Sequence, residues 1–395
     1  MLVVGAGPAG AELARQLAMA GVSVRLVDRL VDLGKAAFSS AALPLEAVTR
    51  FGLPAEVVAS RWSCWQLLGP ENQWRHWQQA DGLGVVLDFA ALRRWLAAEV
   101  RAWGGEVLLG TTVISSEPTP EGGMSSVLRN AAGQLYSCSS EWVIDATGQS
   151  RSLIAGNYPK DDPLICGIGL EWLLRVSLEQ WQQWADRLSF LLGSRWVPQG
   201  YGWVFPMQPG ILKLGVCRLV DPGSNQPPLS ELQRRVLERT GLEAAAVLDR
   251  HGGMIRSRIK RGDPHGQGRL LAVGDAVSTA NLLGGEGIRH ALSSARVLAE
   301  ILLDQRRQAN QLAPFPLQHY RRQLDAALGW RWALSGRLAR RTWLGLRGAA
   351  GDEHLERLLQ ALQSAPAREL SELLFNYRFE RFGIKALPYL LGLRR

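Results

Sequence analysis

At 395 residues the chain can hold about two to three domains' worth of core. Hydrophobic residues at 47% and charged residues at 21% describe an ordinary globular protein, and no run of ~18 uncharged apolar residues is present to span a membrane as a helix. The net charge of +9 invites a nucleic-acid reading, but the basic residues are scattered and no nucleic-acid module is visible, so no nucleic-acid partner is expected.

The N-terminus lacks a basic-then-apolar leader, and the expected location is cytoplasmic. Cys64, Cys138, Cys166 and Cys217 lie far apart with no CxxC pair, which favours buried free thiols over disulfides or a metal site. Fifteen tryptophans are many for this length and are expected as core or pocket wall.

In chain order, Leu2-Val3-Val4 is an apolar run that breaks into Gly5-Ala6-Gly7-Pro8-Ala9-Gly10, with a helix-compatible stretch from Ala11 to Ala20. Almost no chain precedes this first strand, which leaves its completeness open. Strand, glycine turn and helix come in the order of a dinucleotide-binding βαβ unit. Gly5 permits the tight turn, Gly7 lets backbone approach a pyrophosphate, and Gly10 lets the helix sit against the sheet. The diphosphate then rests on the open N–H groups of the helix, beside Pro8 and Ala9. Val22 to Val27 reads as the second strand, ending at Asp28, the acid expected to accept from a ribose hydroxyl. Together these features predict an FAD or NAD site.

Helical spacing returns over Leu45 to Phe51, and the segment Trp62 to Trp77 shows strand-like patches before an Asp81-Gly82 turn. Val85-Val86-Leu87 precedes an amphipathic helix, Phe89 to Trp103, stopped by Gly104-Gly105. Strands follow at Glu106 to Leu109 and Val113-Ile114, with a hairpin around Asn130 to Gly133. Trp142 to Asp145 is then an apolar strand running into Ala146-Thr147-Gly148. Cys166 to Val176 reads as a strand with one acid, Glu171, among apolar neighbours. A helical stretch is expected from Leu178 to Leu192, a strand pair from Tyr201 to Val216, and a helix from Leu229 to Leu248. Leu270 to Val273 is a buried strand ending in Gly274-Asp275. Gly284-Gly285-Glu286-Gly287 opens a helix from Ile288 to about Asp304, and the chain from about Pro314 is helical and arginine-rich.

Three separated stretches now fit together: Gly5 to Gly10, the Asp145-Ala146-Thr147-Gly148 strand end, and Val273-Gly274-Asp275-Ala276 with Gly284-Gly285-Glu286-Gly287-Ile288. They resemble the FAD contacts of the flavoprotein group that includes para-hydroxybenzoate hydroxylase, flavin-dependent halogenases, plant-type lycopene cyclases and geranylgeranyl reductases. The resemblance covers roughly the first 300 residues. Asp275 at a strand end is placed for ribityl hydroxyls, since an acid there needs donors. Gly285 and Gly287 let a flavin ring lie against bare backbone, and the Ile288 helix start offers dipole to its anionic edge.

A fourth motif, Tyr201-Gly202-Trp203-Val204-Phe205-Pro206 with Gly215 downstream, resembles the Y-x-W-x-F-P…G signature of the geranylgeranyl reductase branch, which lines the substrate cavity there. Strand alternation puts Tyr201, Trp203 and Phe205 on one face, a flat apolar wall. The chain departs from that branch at two points. The loop Lys35 to Pro44 has no cysteine, and the arginine often found ahead of the long second helix is missing near Val85.

The expected fold is α/β: a Rossmann-type FAD-binding domain (1–60, 85–160 and 255–310) with an inserted antiparallel-sheet substrate domain (61–84 and 161–254) and a helical C-terminal region (311–395). The resemblance implies an FAD-dependent oxidoreductase acting on an apolar isoprenoid or aromatic small molecule by hydride transfer through flavin N5. Alternatives in the same fold are a monooxygenase or halogenase, a non-redox lycopene-type cyclase, and a non-catalytic flavin-binding interaction protein. No second dinucleotide fingerprint is present, so electrons come from a visiting NADPH or a ferredoxin-type donor. Glu171, isolated among apolar residues, is the candidate proton donor. Residues 377 to 395 mix apolar and basic side chains, a composition suited to a peripheral membrane contact or to docking on the protein's own core.

Overall fold

The structure is a computed structural model that describes residues 1–37, 39–154, 161–308 and 314–380. Most of the segment considered for membrane contact, residues 381–395, lies outside the described residues.

The chain opens with β1 (Leu2–Val4), α1 (Pro8–Met19) and β2 (Arg25–Asp28), then β3 (Ala42–Pro44), α2 (Leu45–Phe51), β4 (Val58–Leu68), β5 (Trp74–Gln78) and β6 (Gly84–Leu87). Helix α3 (Phe89–Ala102) leads to β7 (Glu106–Leu109), β8 (Thr112–Pro118), β9 (Met124–Arg129), β10 (Leu135–Ser140) and β11 (Val143–Asp145). Next come β12 (Ile165–Arg175), α4 (Leu178–Trp184), β13 (Asp186–Leu192), β14 (Gly200–Pro206), β15 (Ile211–Leu219), α5 (Leu229–Thr240) and β16 (Ala246–Ser257). The chain continues through β17 (Gly266–Gln267), β18 (Leu270–Ala272), α6 (Ile288–Arg307), α7 (Leu317–Leu328), α8 (Trp330–Gly345), α9 (Ala349–Leu362) and α10 (Ala367–Leu374).

A six-stranded sheet, order β17-β18-β11-β1-β2-β7, is parallel except for the short β17–β18 pair. Its strands alternate between two cores. Val3, Leu26, Ile144 and Leu271 face α1, α3 and α6, while Leu2, Val4, Val27 and Val143 face Met124 and Leu128 of the three-stranded β10-β9-β8 sheet. Burial on both faces explains why these strands read as continuous apolar runs.

A second, nine-stranded sheet runs β16-β12-β15-β14-β13-β4-β6-β3, with β5 on β4. It is antiparallel apart from β13–β4 and includes β3 and β6, which flank the expected substrate segment. One face packs under α4 and α5 through Val204, Leu214, Val216, Leu232 and Val236. The other packs Trp65, Leu188, Trp203 and Phe205 against Trp343, Leu359 and Leu370 of α8 to α10.

Two expectations are corrected. The helix expected over Leu178 to Leu192 runs only to Trp184: a Ser177–Gln180 capping box starts it, and Asp186 turns the chain with φ 59° into strand β13. As a central strand β13 buries both faces, so Leu188 to Leu192 lacks the alternation that marks a strand. The helix expected over Leu229 to Leu248 stops at Thr240, capped by Gly241 at φ 67°. Residues 246–257 instead form the edge strand β16, held by pairing along β12 despite polar and glycine positions of low β-propensity. Among the described residues no helix is long and apolar enough to cross a membrane.

Candidate active site

Bare backbone builds the first wall. Gly5 adopts φ 108° and donates its N–H to Val27 O at 2.8 Å; a Cβ there would stand 2.4 Å from Ala146 O. A Cβ on Gly10 would lie 2.0 Å from Gly5 O and 2.8 Å from Ala146 Cβ, so only glycine lets α1 sit this close to the turn and to the end of β11. Gly7 caps α1 with open space beside it, Pro8 follows, and the first turn, with Ala9 and Gly10, carries neither a side-chain cap nor an acid. Such an end is suited to anions. Asp28 closes the turn from the end of β2, accepting from the N–H groups of Ala6 (2.7 Å) and Leu30 (2.9 Å).

The other expected segments converge on this turn. Asp145 is fully buried at the end of β11 and accepts from the N–H and hydroxyl of Thr147 and from the N–H groups of Leu153 and Ile154, which fixes the bend at Gly148 (φ 67°). Gly274 (φ 68°) packs on α1, where a Cβ would come 2.6 Å from Ala9 Cβ. Asp275 accepts from the Thr279 hydroxyl at 3.1 Å, and burial raises its carboxyl above the ordinary value. Gly285 (φ 64°) and Gly287 run into Ile288 at the start of α6, and Asp275 Oδ2 lies 4.0 Å from where a Gly287 Cβ would stand. An open helix end, closely packed glycines and a strand-end carboxylate fit the diphosphate, ribose and ribityl groups of an extended dinucleotide.

The second wall is made of side chains. A cavity of about 950 Å³, part of it open to solvent, lies between the Ser39–Leu43 and Gly284–Ile288 loops and the aromatic face of β13 and β14. Tyr201, Trp203 and Phe205 line it together, as the alternation predicts, and Trp65, Phe190, Trp343 and Phe375 complete the aromatic lining. The Tyr201 hydroxyl donates to Gly284 O at 2.8 Å and so ties this wall to the glycine loop. Burial pushes that phenol well above its ordinary pKa, and it keeps its proton.

Glu171 is placed differently from a donor inside the cavity. It is 1% exposed and does not line the cavity; its Oε2 accepts from Trp203 Nε1–H at 3.1 Å. Strand register puts Glu171, Gly215 and Trp203 in one row across β12, β15 and β14, and a Cβ on Gly215 would lie 2.2 Å from the indole. Gly215 therefore supplies the space in which the ring lies, and Glu171 holds its far edge. Burial raises the Glu171 carboxyl, while Lys213 and the Trp203 N–H oppose the rise.

Other residues of the site carry weaker sequence signals. Lys213, 5% exposed on β15, donates Nζ to the carbonyls of Ser39 (2.8 Å), Leu87 (3.3 Å) and Ser40 (3.4 Å), pinning the loop on the cavity's rim. A lysine at an inward position of an apolar strand was the available clue. Glu286 pairs with Arg289 Nε at 2.5 Å and accepts from Tyr377 OH at 2.8 Å. Burial opposes its ionisation, but Arg289 and His290 outweigh this and hold the carboxyl well below the usual range. His290 Nε2 lies 2.8 Å from Tyr377 OH, and Arg289 also donates to Phe375 O, so this cluster fastens the segment that carries Phe375. Only tertiary packing brings Trp343 and Phe375 to the cavity.

Comparison with known proteins agrees with this geometry. The family profile described as an FAD binding domain matches residues 1–41. The digeranylgeranylglycerophospholipid reductase of Haloferax volcanii is 28% identical over 314 residues, covering 76% of this chain and 74% of that protein. The crystal structure of a geranylgeranyl bacteriochlorophyll reductase-like protein from Thermoplasma acidophilum superposes with a TM-score of 0.80 at 20% identity, covering 98% of each chain. That of a p-nitrophenol 4-monooxygenase from Pseudomonas putida superposes with a TM-score of 0.70 at 16% identity, covering 95% of this chain and 96% of that one. At these identities the two structures speak for the fold. The chain is an FAD-dependent oxidoreductase, similar in sequence to a digeranylgeranylglycerophospholipid reductase and in fold to a flavin monooxygenase.

Proposed function

We propose that this oxidoreductase reduces a carbon–carbon double bond in an apolar substrate, an isoprenoid in the first instance and a fused aromatic in the second. The observation that carries this reading is the cavity wall, in which Trp65, Phe190, Tyr201, Trp203, Phe205, Trp343 and Phe375 face a glycine loop suited to a flavin ring. The name of the Haloferax volcanii relative, a reductase of a geranylgeranyl-bearing phospholipid, supports the isoprenoid choice.

The cofactor groups are Gly5, Gly7, Pro8, Ala9, Gly10, Asp28, Gly148, Gly274, Asp275, Gly285, Gly287 and Ile288. FAD bound there supplies a hydride through N5. The protein's own part is to orient and to exclude water. Trp203, held flat by Glu171 across Gly215, and Phe205 align a flat or extended apolar chain, while Trp343, whose Nε1–H donates to Leu283 O, and Phe375 complete the aromatic lining beside the glycine loop. Tyr201 brings a protonated hydroxyl to the junction of wall and glycine loop. It is the group in the cavity placed to hold the proton that reduction of a double bond requires, and Glu171 acts through Trp203 as a positioning residue. Electrons reach the cofactor from NADPH or a ferredoxin-type protein.

The test is anaerobic reduction of the purified protein, with NADPH and with a reduced ferredoxin in separate runs, followed by addition of geranylgeranyl compounds and fused aromatics. Flavin reoxidation without O₂, with saturation of the added compound, is the expected result. Reoxidation seen only when O₂ is admitted makes the protein an oxygenase and overturns the reading.

A further inference from the structure

Of the seven aromatic rings that line the cavity among the described residues, six sit on β4, β13, β14 and α8, where ladder or helix hydrogen bonds fix the backbone that carries them. The seventh, Phe375, lies just past the end of α10. Its N–H closes the last turn on Ser371 O at 2.9 Å, and its ring meets that of Trp65 at 5.6 Å between centroids. Apolar contact of this kind is non-directional, so the place of the ring depends on what holds residues 375–377.

The hold comes from the glycine loop. Between Gly285 and Gly287, the Glu286 carboxylate accepts from Arg289 Nε (2.5 Å) and Nη2 (2.9 Å) and from the Tyr377 hydroxyl (2.8 Å). Arg289 in turn donates to Phe375 O and, at 3.2 Å, to Asn376 Oδ1. Tyr377 is 3% exposed, does not line the cavity, and adopts φ 55°, a left-handed conformation unfavourable for an aromatic residue. Such a conformation persists where the surroundings hold it, and the hydroxyl meets Glu286 and His290, each at 2.8 Å.

We infer that Tyr377 is a specificity-determining residue that acts through Phe375: its bond to Glu286 sets how far the Phe375 ring stands from the glycine loop, and so the thickness of the guest that the cavity accepts. This rests on the reading of the cavity as the site of an apolar substrate and adds what limits that substrate's shape. A slender isoprenoid chain gains contact with a ring held in place, whereas a broad fused aromatic loses nothing when the ring gives way.

Full-length protein with its flavin bound is titrated with geranylgeraniol and with pyrenemethanol, two alcohols of different breadth, and binding is read by tryptophan fluorescence. Wild type is compared with Tyr377→Phe, Phe375→Ala and the double variant. Tyr377→Phe is expected to weaken geranylgeraniol by about 10-fold and pyrenemethanol by no more than about twofold, the scale of one aromatic contact. Phe375→Ala should shift the preference in the same way, and adding Tyr377→Phe to it should change neither affinity by more than about twofold, since the ring through which the hydroxyl acts is already gone. A merely structural role would lower both affinities together, in the Phe375→Ala background as well. Should Tyr377→Phe not fold, Asn376→Ala, which removes another tether to Arg289, carries the same expectation at about 3-fold. An unchanged ratio of the two affinities in the folded variant, or full additivity with Phe375→Ala, overturns the inference. A wild type that binds neither alcohol overturns the reading of the cavity itself, an outcome seen before any variant is compared.

Discussion

At Gly5 and Gly10 the site is main chain against main chain, and neither Gly10 nor Gly274 has room for a Cβ. Across the cavity, on β13 to β15, it is a set of large rings whose orientations depend on partners behind them, as Trp203 depends on Glu171 and Gly215. At Gly5, Gly10 and Gly274 the first kind of wall has no room for an added atom. The second accepts changes of shape at one ring but fails when the supporting partner goes. A surface that binds one invariant molecule can be made of backbone, whereas a surface that selects among substrates is made of replaceable side chains.

Substitutions test that contrast, and the largest effect belongs to the backbone wall. Gly10→Ala drives a methyl into Gly5 O, and the variant should yield protein without bound FAD, destabilised by about 3 kcal/mol or more, as read by flavin absorbance and chemical denaturation. Wild-type flavin content in Gly10→Ala would remove the case for close packing. On the other wall, Gly215→Ala displaces the Trp203 ring while leaving the cofactor side untouched. It should keep FAD and lose on the order of 100-fold in turnover of its apolar substrate, since a 1 Å misplacement costs about that much.

A smaller effect separates the walls by pH. Buried His265, beside the parallel sheet, is lowered to about 4 from 6.5 by burial, so the unfolded chain takes a proton that the folded one refuses in that window. Stability therefore falls as pH drops from 6.5 toward 4, and His265→Gln should flatten that slope in denaturant titrations. Glu171 has the opposite sign: its raised carboxyl pKa keeps the folded form protonated after the unfolded chain has ionised, so stability declines as pH rises above 4.5 until the folded group also ionises. Glu171→Gln should remove that decline.

The smallest effect is in turnover by the same variant. Glutamine still presents an acceptor to Trp203 Nε1, and Glu171→Gln should stay within about 3-fold of wild type, while Glu171→Leu, which cannot hold the ring, loses about 10-fold. A collapse of activity in Glu171→Gln with the ring still ordered, seen as unchanged tryptophan fluorescence, would restore Glu171 to direct proton transfer.

How legible each wall was follows from the same difference. Close approach of backbone requires glycine at fixed offsets, so Gly5, Gly10, Gly274 and Gly285 stand out in the chain, and the α/β fold with its parallel sheet follows from their flanking strands. Tyr201, Trp203 and Phe205 were readable because a strand alternates. Strand β13 was not, since Leu188 and Leu191 are buried on opposite faces and give no period of two. Edge strand β16 was hidden by Asp249, Arg250 and the Gly252-Gly253 pair, which are stabilised by pairing with β12 and not by propensity. Arg93, a charged residue that faces inward, looks in sequence like a solvated position; only burial distinguishes it.

The hydrogen bond from Tyr201 to Gly284 ties the aromatic wall directly to the glycine loop. Whatever guest presses on the tyrosine ring must also strain or relax the main chain against which the isoalloxazine is proposed to lie. Occupancy of the oily chamber is thereby written into the colour of the cofactor, so guests of different girth should leave distinct absorption shifts before any chemistry begins.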